Sequence, residues 1–436
     1  MGARQEPPSS KTPCRLSIST LSLGQSYAGH SLEQRLDQAS QHGYQGIELF
    51  YDDLEYIAQT LPLVPPSSFT TTDSTVIPTT ILMAAPTTAP TDSQLVRAAA
   101  LVRAMCATRR LAVICLQPFR HFEGLVSRDA RAHRLAELHL WCRLAGILRT
   151  DLILIPSNFL PAGQVTGEFK FIVQDLREAA EIAAAATPPV RLCYEALAWG
   201  THIDTWQASW GVAQQVDRPN FGLCLDTFNI AARVYADPAV SGGVQPEGPQ
   251  RLTESVKELA AAVSVDRVFL VQIADGARLA APLVPGHPLY DADSPARMTW
   301  SRQHRLFYGE DDRSGYLPVD QVLAAILGDL GYRGWLSFEL FNRRTSGTDA
   351  SVPAEMARRG AASWAKLVED FGLETGGGGK TGPQTLKGAK VAEESCATKS
   401  KEGGAGESLS SRSGSQRKSV VRLLTLCGLC QPGSEE

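Results

Sequence analysis

No stretch of the 436 residues approaches the run of about 20 apolar side chains that a membrane-spanning helix needs. The opening segment, Met1 to Lys11, is polar and carries no apolar core, so no secretory signal is expected. There is no basic excess either: 42 Lys+Arg stand against 46 Asp+Glu, a net charge of −4, which disfavours tracking of nucleic-acid phosphates as the main task. The nine cysteines are odd in number and unevenly spaced, which argues against a disulfide framework and fits a reducing compartment. One CxxC occurs, at Cys427 and Cys430, with no second pair to complete a zinc site, so it reads as two unrelated thiols. The expectation from these absences is a soluble, cytoplasmic protein that engages neither membrane nor nucleic acid.

What is present is alternation. Eight short apolar runs read as strands: RLSIST (15–20), GIELF (46–50), LAVICLQ (111–117), DLILIPS (151–157), VRLCYEA (190–196), FGLCLDT (221–227), RVFLVQI (267–273) and WLSFEL (335–340). Near-continuous apolarity is the mark of parallel strands buried on both faces. Amphipathic segments separate them, and an eighth, AEMARRGAASWAKLVEDFG, follows the last. Eight strand–helix units predict an α/β protein, a (β/α)8 TIM barrel over residues 14–373. A doubly wound sheet is the alternative, but its usual Gly-rich phosphate turn is missing from STLSLGQSYAG after the first strand. Two segments break the pattern. Residues 61–93, crowded with Thr, Pro and Ser, read as a surface insertion between strand two and the second helix. Residues 374–436, rich in Gly, Ser, Lys and Glu from Gly376 onward, read as a disordered tail.

In such barrels chemistry sits at the C-terminal ends of the strands. Strand five ends in Glu195, strand six in Asp226, strand seven in Gln272 and strand eight in Glu339. Unpaired carboxylates inside apolar runs cost several kcal/mol. Three of them converging on one mouth, with an amide, predict a hard divalent cation held by oxygen: Mg²⁺, Mn²⁺ or Co²⁺, with Zn²⁺ also fitting. The competing reading is four separate side chains that pair with Arg or cap helices. Glu48, ending strand two, is either a further ligand-shell or substrate-contact residue or a helix cap. Arg120 and His121, after strand three, offer a cationic spot for an anionic substrate. His202, after strand five, is the candidate acid or base, unless it is simply exposed. TWSRQHRLF (299–307) places Ser301, Arg302, His304 and Arg305 in the long loop after strand seven, where they form a carboxylate clamp or a solvated loop. Cys193 and Cys224 read as buried small hydrophobes, and His42, His133 and His139 lack metal-ligand spacing.

GQSYAGHSLEQRLDQASQHGYQGIELFYDDL, LQPFRHFEGL, YEALAWGTHID, FGLCLDTFNIAARVYADP, VFLVQIAD and FELFNR, in that order, resemble the fungal 3-dehydroshikimate dehydratases of quinate and shikimate catabolism, within the xylose-isomerase-like barrel superfamily. The resemblance covers about residues 14–373. It implies a divalent metal on Glu195, Asp226, Gln272 and Glu339, and substrate contacts from Ser301 and Arg305 of the SRxxR segment. It implies dehydration of 3-dehydroshikimate to protocatechuate, with the metal as Lewis acid, an arginine (Arg305 or Arg120) on the ring carboxylate, and an acid–base group such as His202. Some bacterial members carry a catalytic His three residues after the metal-binding Asp; here that position is Asn229. Bacterial relatives can also carry a C-terminal dioxygenase-like domain, for which this tail is too short. Sugar isomerases, inosose dehydratases and non-catalytic metabolite binders share the barrel and remain alternatives. A homo-oligomer is compatible with everything above.

Overall fold

The computed structural model describes residues 13–62 and 89–374. Most of the Thr/Pro-rich stretch, the tail from residue 375, and with it Cys427 and Cys430, lie outside the described residues.

Eight parallel strands close into a barrel in chain order: β1 Arg15–Ser19, β2 Gly46–Phe50, β3 Ala112–Gln117, β4 Leu152–Pro156, β5 Arg191–Glu195, β6 Phe221–Asp226, β7 Val268–Ile273 and β8 Trp335–Phe338. β8 pairs back onto β1 with Arg15 opposite Trp335 and Ile18 opposite Phe338. Around them run α1 Leu32–Gln41, α2 Tyr51–Thr60, α3 Asp92–Thr108, α4 Arg128–Leu148, α5 Phe169–Ala185, α6 Trp206–Val216, α7 Thr227–Val234, α8 Gly248–Ala262, α9 Ala296–His304, α10 Val319–Leu323 (extended by a π-turn to Asp329) and α11 Val352–Phe371. Capping boxes at Ser31/Gln34 and Thr91/Gln94 start α1 and α3 by satisfying their first free N–H groups.

Strand alternation divides the apolar residues into two cores. Ile18, Ile47, Leu49, Ile153, Ile155, Leu192, Leu223, Leu225, Val271 and Phe338 pack under the helices in the large core. Leu152, Leu154, Cys193, Cys224 and Leu270, with Ile114 and Cys115, form a separate small cluster inside the barrel. The same period of two carries each inward row one step further, to Glu195 after Cys193, Asp226 after Cys224 and Gln272 after Leu270. At the opposite, N-terminal end Arg15 lies over the Trp335 ring, 3.7 Å from its centroid. Gly46 is required there, because a Cβ would meet Ile114 Cγ2 at 2.6 Å and Trp335 Cη2 at 2.9 Å.

Two local expectations change. The segment after β2 is helix α2, so the Thr/Pro-rich stretch follows that helix rather than β2, and α3 already begins at Asp92. The SRxxR segment lies at the end of helix α9, with Arg305 in extended backbone, rather than in an irregular loop.

Candidate active site

The strand ends bring Glu195, Asp226 and Glu339 together: one carboxylate oxygen from each lies within 4.8 Å of the others, all three residues being buried. Asp226 serves two masters. As N-cap of α7 its Oδ1 accepts from Phe228 N at 2.8 Å, which turns Oδ2 into the barrel mouth. Asn229, one helical turn on, donates from Nδ2 to both Glu195 Oε1 (2.7 Å) and Asp226 Oδ2 (2.8 Å), and its Oδ1 accepts from Ala198 N (3.0 Å). It therefore spaces two carboxylates and ties the β5 loop to α7.

Arg305 is the cation of the cluster. Nη1 lies 2.9 Å from Asp226 Oδ2 and 3.1 Å from Glu339 Oε2, and Nε donates to Ser301 Oγ at 3.0 Å. The last contact explains the SxxxR spacing, since residues four apart face each other on a helix. Backbone bonds from Arg305 N to Phe341 O and from Asn342 Nδ2 to Arg305 O hold the residue to the segment after β8. The guanidinium is sandwiched between Phe228 and Phe341, 4.5 and 5.1 Å from their ring centroids. Among the described residues Nη2 has no hydrogen-bond partner, which leaves that N–H pair for a bound oxygen.

Behind the triad lies a second polar layer. Glu48 Oε2 accepts from Gln117 Nε2 and Gln272 Nε2, both at 2.8 Å, and Gln117 Nε2 also donates to Glu339 Oε1 at 2.9 Å. Cys224 Sγ donates to Gln272 Oε1 at 3.4 Å. Cys193 and Cys224 are otherwise buried members of the inner cluster, as expected. Gln117 and the spacing role of Asn229 escaped the sequence reading. Gln117 had a signal, since it is a polar residue closing a buried strand as Gln272 does.

The charges do not balance. Four carboxylates (Glu48, Glu195, Asp226 and Glu339), none more than 4% exposed, face one guanidinium. Burial, then repulsion from Glu339 and Asp226, pushes Glu195 well above the ordinary carboxylate range. Burial and Glu339 push Glu48 up to about 8, and burial raises Glu339 against the pull of Arg305. A hard divalent cation fits this donor set: oxygen ligands, a buried mouth and a surplus of negative charge. Glu195, Asp226 and Glu339 have the geometry to hold it, with Gln272 beside them.

The other expected residues lie at the rim. Arg120 pairs with Asp52 at 3.3 Å and lies over Phe50. Arg302 is directed towards Phe159. His121 has the left-handed φ of 52° that side chains seldom adopt, packs 4.5 Å from Phe159, and is driven by burial and neighbouring arginines down to about 4, so its imidazole is neutral. His202 Nε2 lies 3.4 Å from the Val165 carbonyl, placing the ring against the β4–α5 connection rather than on a carboxylate of the cluster.

Comparison with known proteins agrees with this architecture. The family model of xylose isomerase-like TIM barrels matches residues 36–367. The chain belongs to that family. Within it, a 3-dehydroshikimate dehydratase of Neurospora crassa is 47% identical over 365 residues, covering 84% of this chain and 96% of that protein. A 3-dehydroshikimate dehydratase of Pseudomonas putida is 30% identical over 357 residues, covering 82% of this chain and 42% of that protein. Among solved structures, a xylose isomerase-like TIM barrel/4-hydroxyphenylpyruvate dioxygenase fusion protein is similar, with TM-score 0.58 and 29% identity over 83% of this chain and 43% of that one. The Pseudomonas putida relative and the fusion protein are thus more than twice as long as the part this barrel matches. Among the described residues, no helix is long and apolar enough to cross a membrane.

Proposed function

We propose that this barrel is a metal-dependent hydro-lyase that converts 3-dehydroshikimate to protocatechuate and water. The observation that carries the reading is the 47% identity to the Neurospora crassa 3-dehydroshikimate dehydratase across nearly all of that protein. The burial and chemistry of the carboxylate cluster support it independently. Glu195, Asp226, Gln272 and Glu339 are the ligands of a divalent cation, with Mg²⁺, Mn²⁺ and Co²⁺ the ions that suit the set. When bound, the ion supplies a Lewis acid that polarises the substrate's ketone.

The chain's own residues do the rest. Asn229 keeps Glu195 and Asp226 apart and oriented; as an amide it has no acid–base capacity, so proton transfer falls to another group. His202, on the loop that continues β5 beyond Glu195, is the side-chain candidate for it, with its ring resting at the Val165 carbonyl, and metal-bound water is the alternative. Arg305 is fixed by Ser301 on one side and by two ring faces, so its free Nη2 presents N–H groups to the substrate without reorganisation. Arg120 and Arg302 line the entrance with positive charge, which suits a ring carboxylate. The active-site mouth faces small molecules, and the substrate is the partner.

The test is ultraviolet detection of protocatechuate from 3-dehydroshikimate with the Mn²⁺-loaded full chain, beside a chelated sample, Glu339→Gln and His202→Asn. Glu339→Gln is expected to lower turnover by about a thousandfold by removing one anionic ligand. Metal loading without any product would move the assignment to sugar isomerisation or to a silent metabolite binder. Full activity in His202→Asn would take proton transfer away from His202 alone.

A further inference from the structure

Glu48 is an odd residue to find where it is. It is fully buried on β2, opposite Ser19 across the β1–β2 pair, in a barrel mouth that already holds three carboxylates. Its Oε1 has no hydrogen-bond partner among the described residues, although the Ser337 hydroxyl of β8 lies near enough to draw its carboxyl down against the effect of burial. A fourth buried carboxylate in one mouth costs stability, so its presence calls for another reason.

The reason lies in its other oxygen. A carboxylate in its charged form accepts hydrogen bonds and donates none. Oε2 takes Nε2 of both Gln117 and Gln272 at 2.8 Å, which dictates that each glutamine turns its nitrogen towards β2. For Gln272 the consequence is polar sorting: with the nitrogen held chiefly by Glu48 at 2.8 Å and also turned to Glu339, the oxygen is the atom left to face a cation. Among the described residues that oxygen is otherwise engaged only by the Cys224 thiol at 3.4 Å, the weakest donor in the site and the easiest to give up. The shared Gln117 nitrogen extends the same hold to Glu339 Oε1.

We propose that Glu48 is a positioning residue that acts through hydrogen bonds, not a ligand: it sets the amide of Gln272 oxygen-first, and holds Glu339 through Gln117, for a divalent cation. This rests on the metal-site reading above. A cation has no use for an amide nitrogen, so a Gln272 free to turn is a less well-ordered ligand.

The experiment is titration of the full chain with Mn²⁺, following free ion by electron paramagnetic resonance, for the native protein and for Glu48→Gln, Glu48→Leu, Gln272→Glu and the double variant Glu48→Leu/Gln272→Glu. Glu48→Gln can place its amide oxygen where Oε2 now lies, so its affinity is expected to stay within about threefold of native, whereas Glu48→Leu should weaken binding by about 10–100-fold. A carboxylate at position 272 has no wrong end. The Glu48→Leu change should therefore cost little in the Gln272→Glu background, a coupling that a general packing role would not produce. Glu48→Met takes the place of the leucine variant if that chain does not fold.

Native-like binding by Glu48→Leu, or a loss in Glu48→Gln as large as in Glu48→Leu, would overturn the proposal while leaving the metal site intact. Failure of the native chain to bind Mn²⁺ at all would overturn the metal-site reading and this proposal together.

Discussion

At the scale of single residues, the site is built from groups that do two jobs at once. Asp226 caps a helix with one oxygen and offers the other to the mouth, and Ser301 sits one helical turn before Arg305 to aim it. Glu123 shows the same economy outside the cluster. In the segment after β3, its Oε1 accepts from Asn158 N at 2.5 Å and from the Tyr194 hydroxyl at 2.9 Å, so it links the ends of three strands next to Glu195. Burial raises its carboxyl to about 7. The folded state therefore holds a proton that the unfolded chain, with an ordinary glutamate value near 4.5, has released. The stability from this group is fully present below about pH 4.5 and is lost as pH rises through about 7. Glu123→Gln cannot ionise, so its melting temperature relative to the native chain should climb between pH 5 and pH 8. A difference in melting temperature that stays flat across that range, read by calorimetry, would contradict the assigned burial effect.

At the scale of elements, the barrel was legible because its signals are strong: eight apolar runs, and polar residues at their C-terminal ends two places beyond an inward-facing neighbour. All four expected ligands lie in that layer for this reason. What was not legible lacked boundary chemistry. Helix α2 follows β2 without a turn, Phe50 serving as an N-cap whose side chain cannot bond, so GIELFYDDLEY offers no stop between strand and helix. Helix α9 has Pro295 as its N-cap, again without a side-chain bond, and is too polar to show a helical stripe. The bond from Asn229 to Asp226 follows the three-residue spacing at the start of α7, but its bond to Glu195 was invisible because it depends on two strands meeting, which no spacing along the chain encodes.

Packing supplies a prediction of its own in α11. A Cβ at Gly360 would meet Tyr44 Oη at 2.1 Å and Phe307 Cε1 at 2.8 Å, and that Tyr44 hydroxyl donates to Ala357 O at 3.2 Å. Helix propensity alone favours Gly360→Ala by about 1 kcal/mol. Overpacking a closed contact opposes it by about 1–3 kcal/mol. The backbone-bonded tyrosine has little room to yield, so overpacking should win and the melting temperature should fall, with Mn²⁺ affinity unchanged. A stabilised Gly360→Ala chain would show that α11 docks with more freedom than these distances allow.

At the scale of the whole molecule, the barrel closes its own ends before the chain is finished. The Glu374 carbonyl accepts from Cys14 N at 3.1 Å, so the segment after α11 returns to the residue that precedes β1. Leu367 and Leu373 are buried in the core under the helices. Every residue assigned to the site, from Glu48 to Glu339, comes earlier in the chain. A protein ending at Gly376 should therefore keep its melting temperature and retain kcat/KM within about twofold. One ending at Ser351 loses α11, exposes Tyr44 and Phe307, and should not unfold cooperatively, because the apolar area that helix covers is part of the large core under the helices. Thermal unfolding and protocatechuate formation read both variants side by side. If the chain ending at Gly376 folds as the full one does but turns over more than about tenfold more slowly, residues 377–436 take part in catalysis, and the site as built from the barrel alone is incomplete.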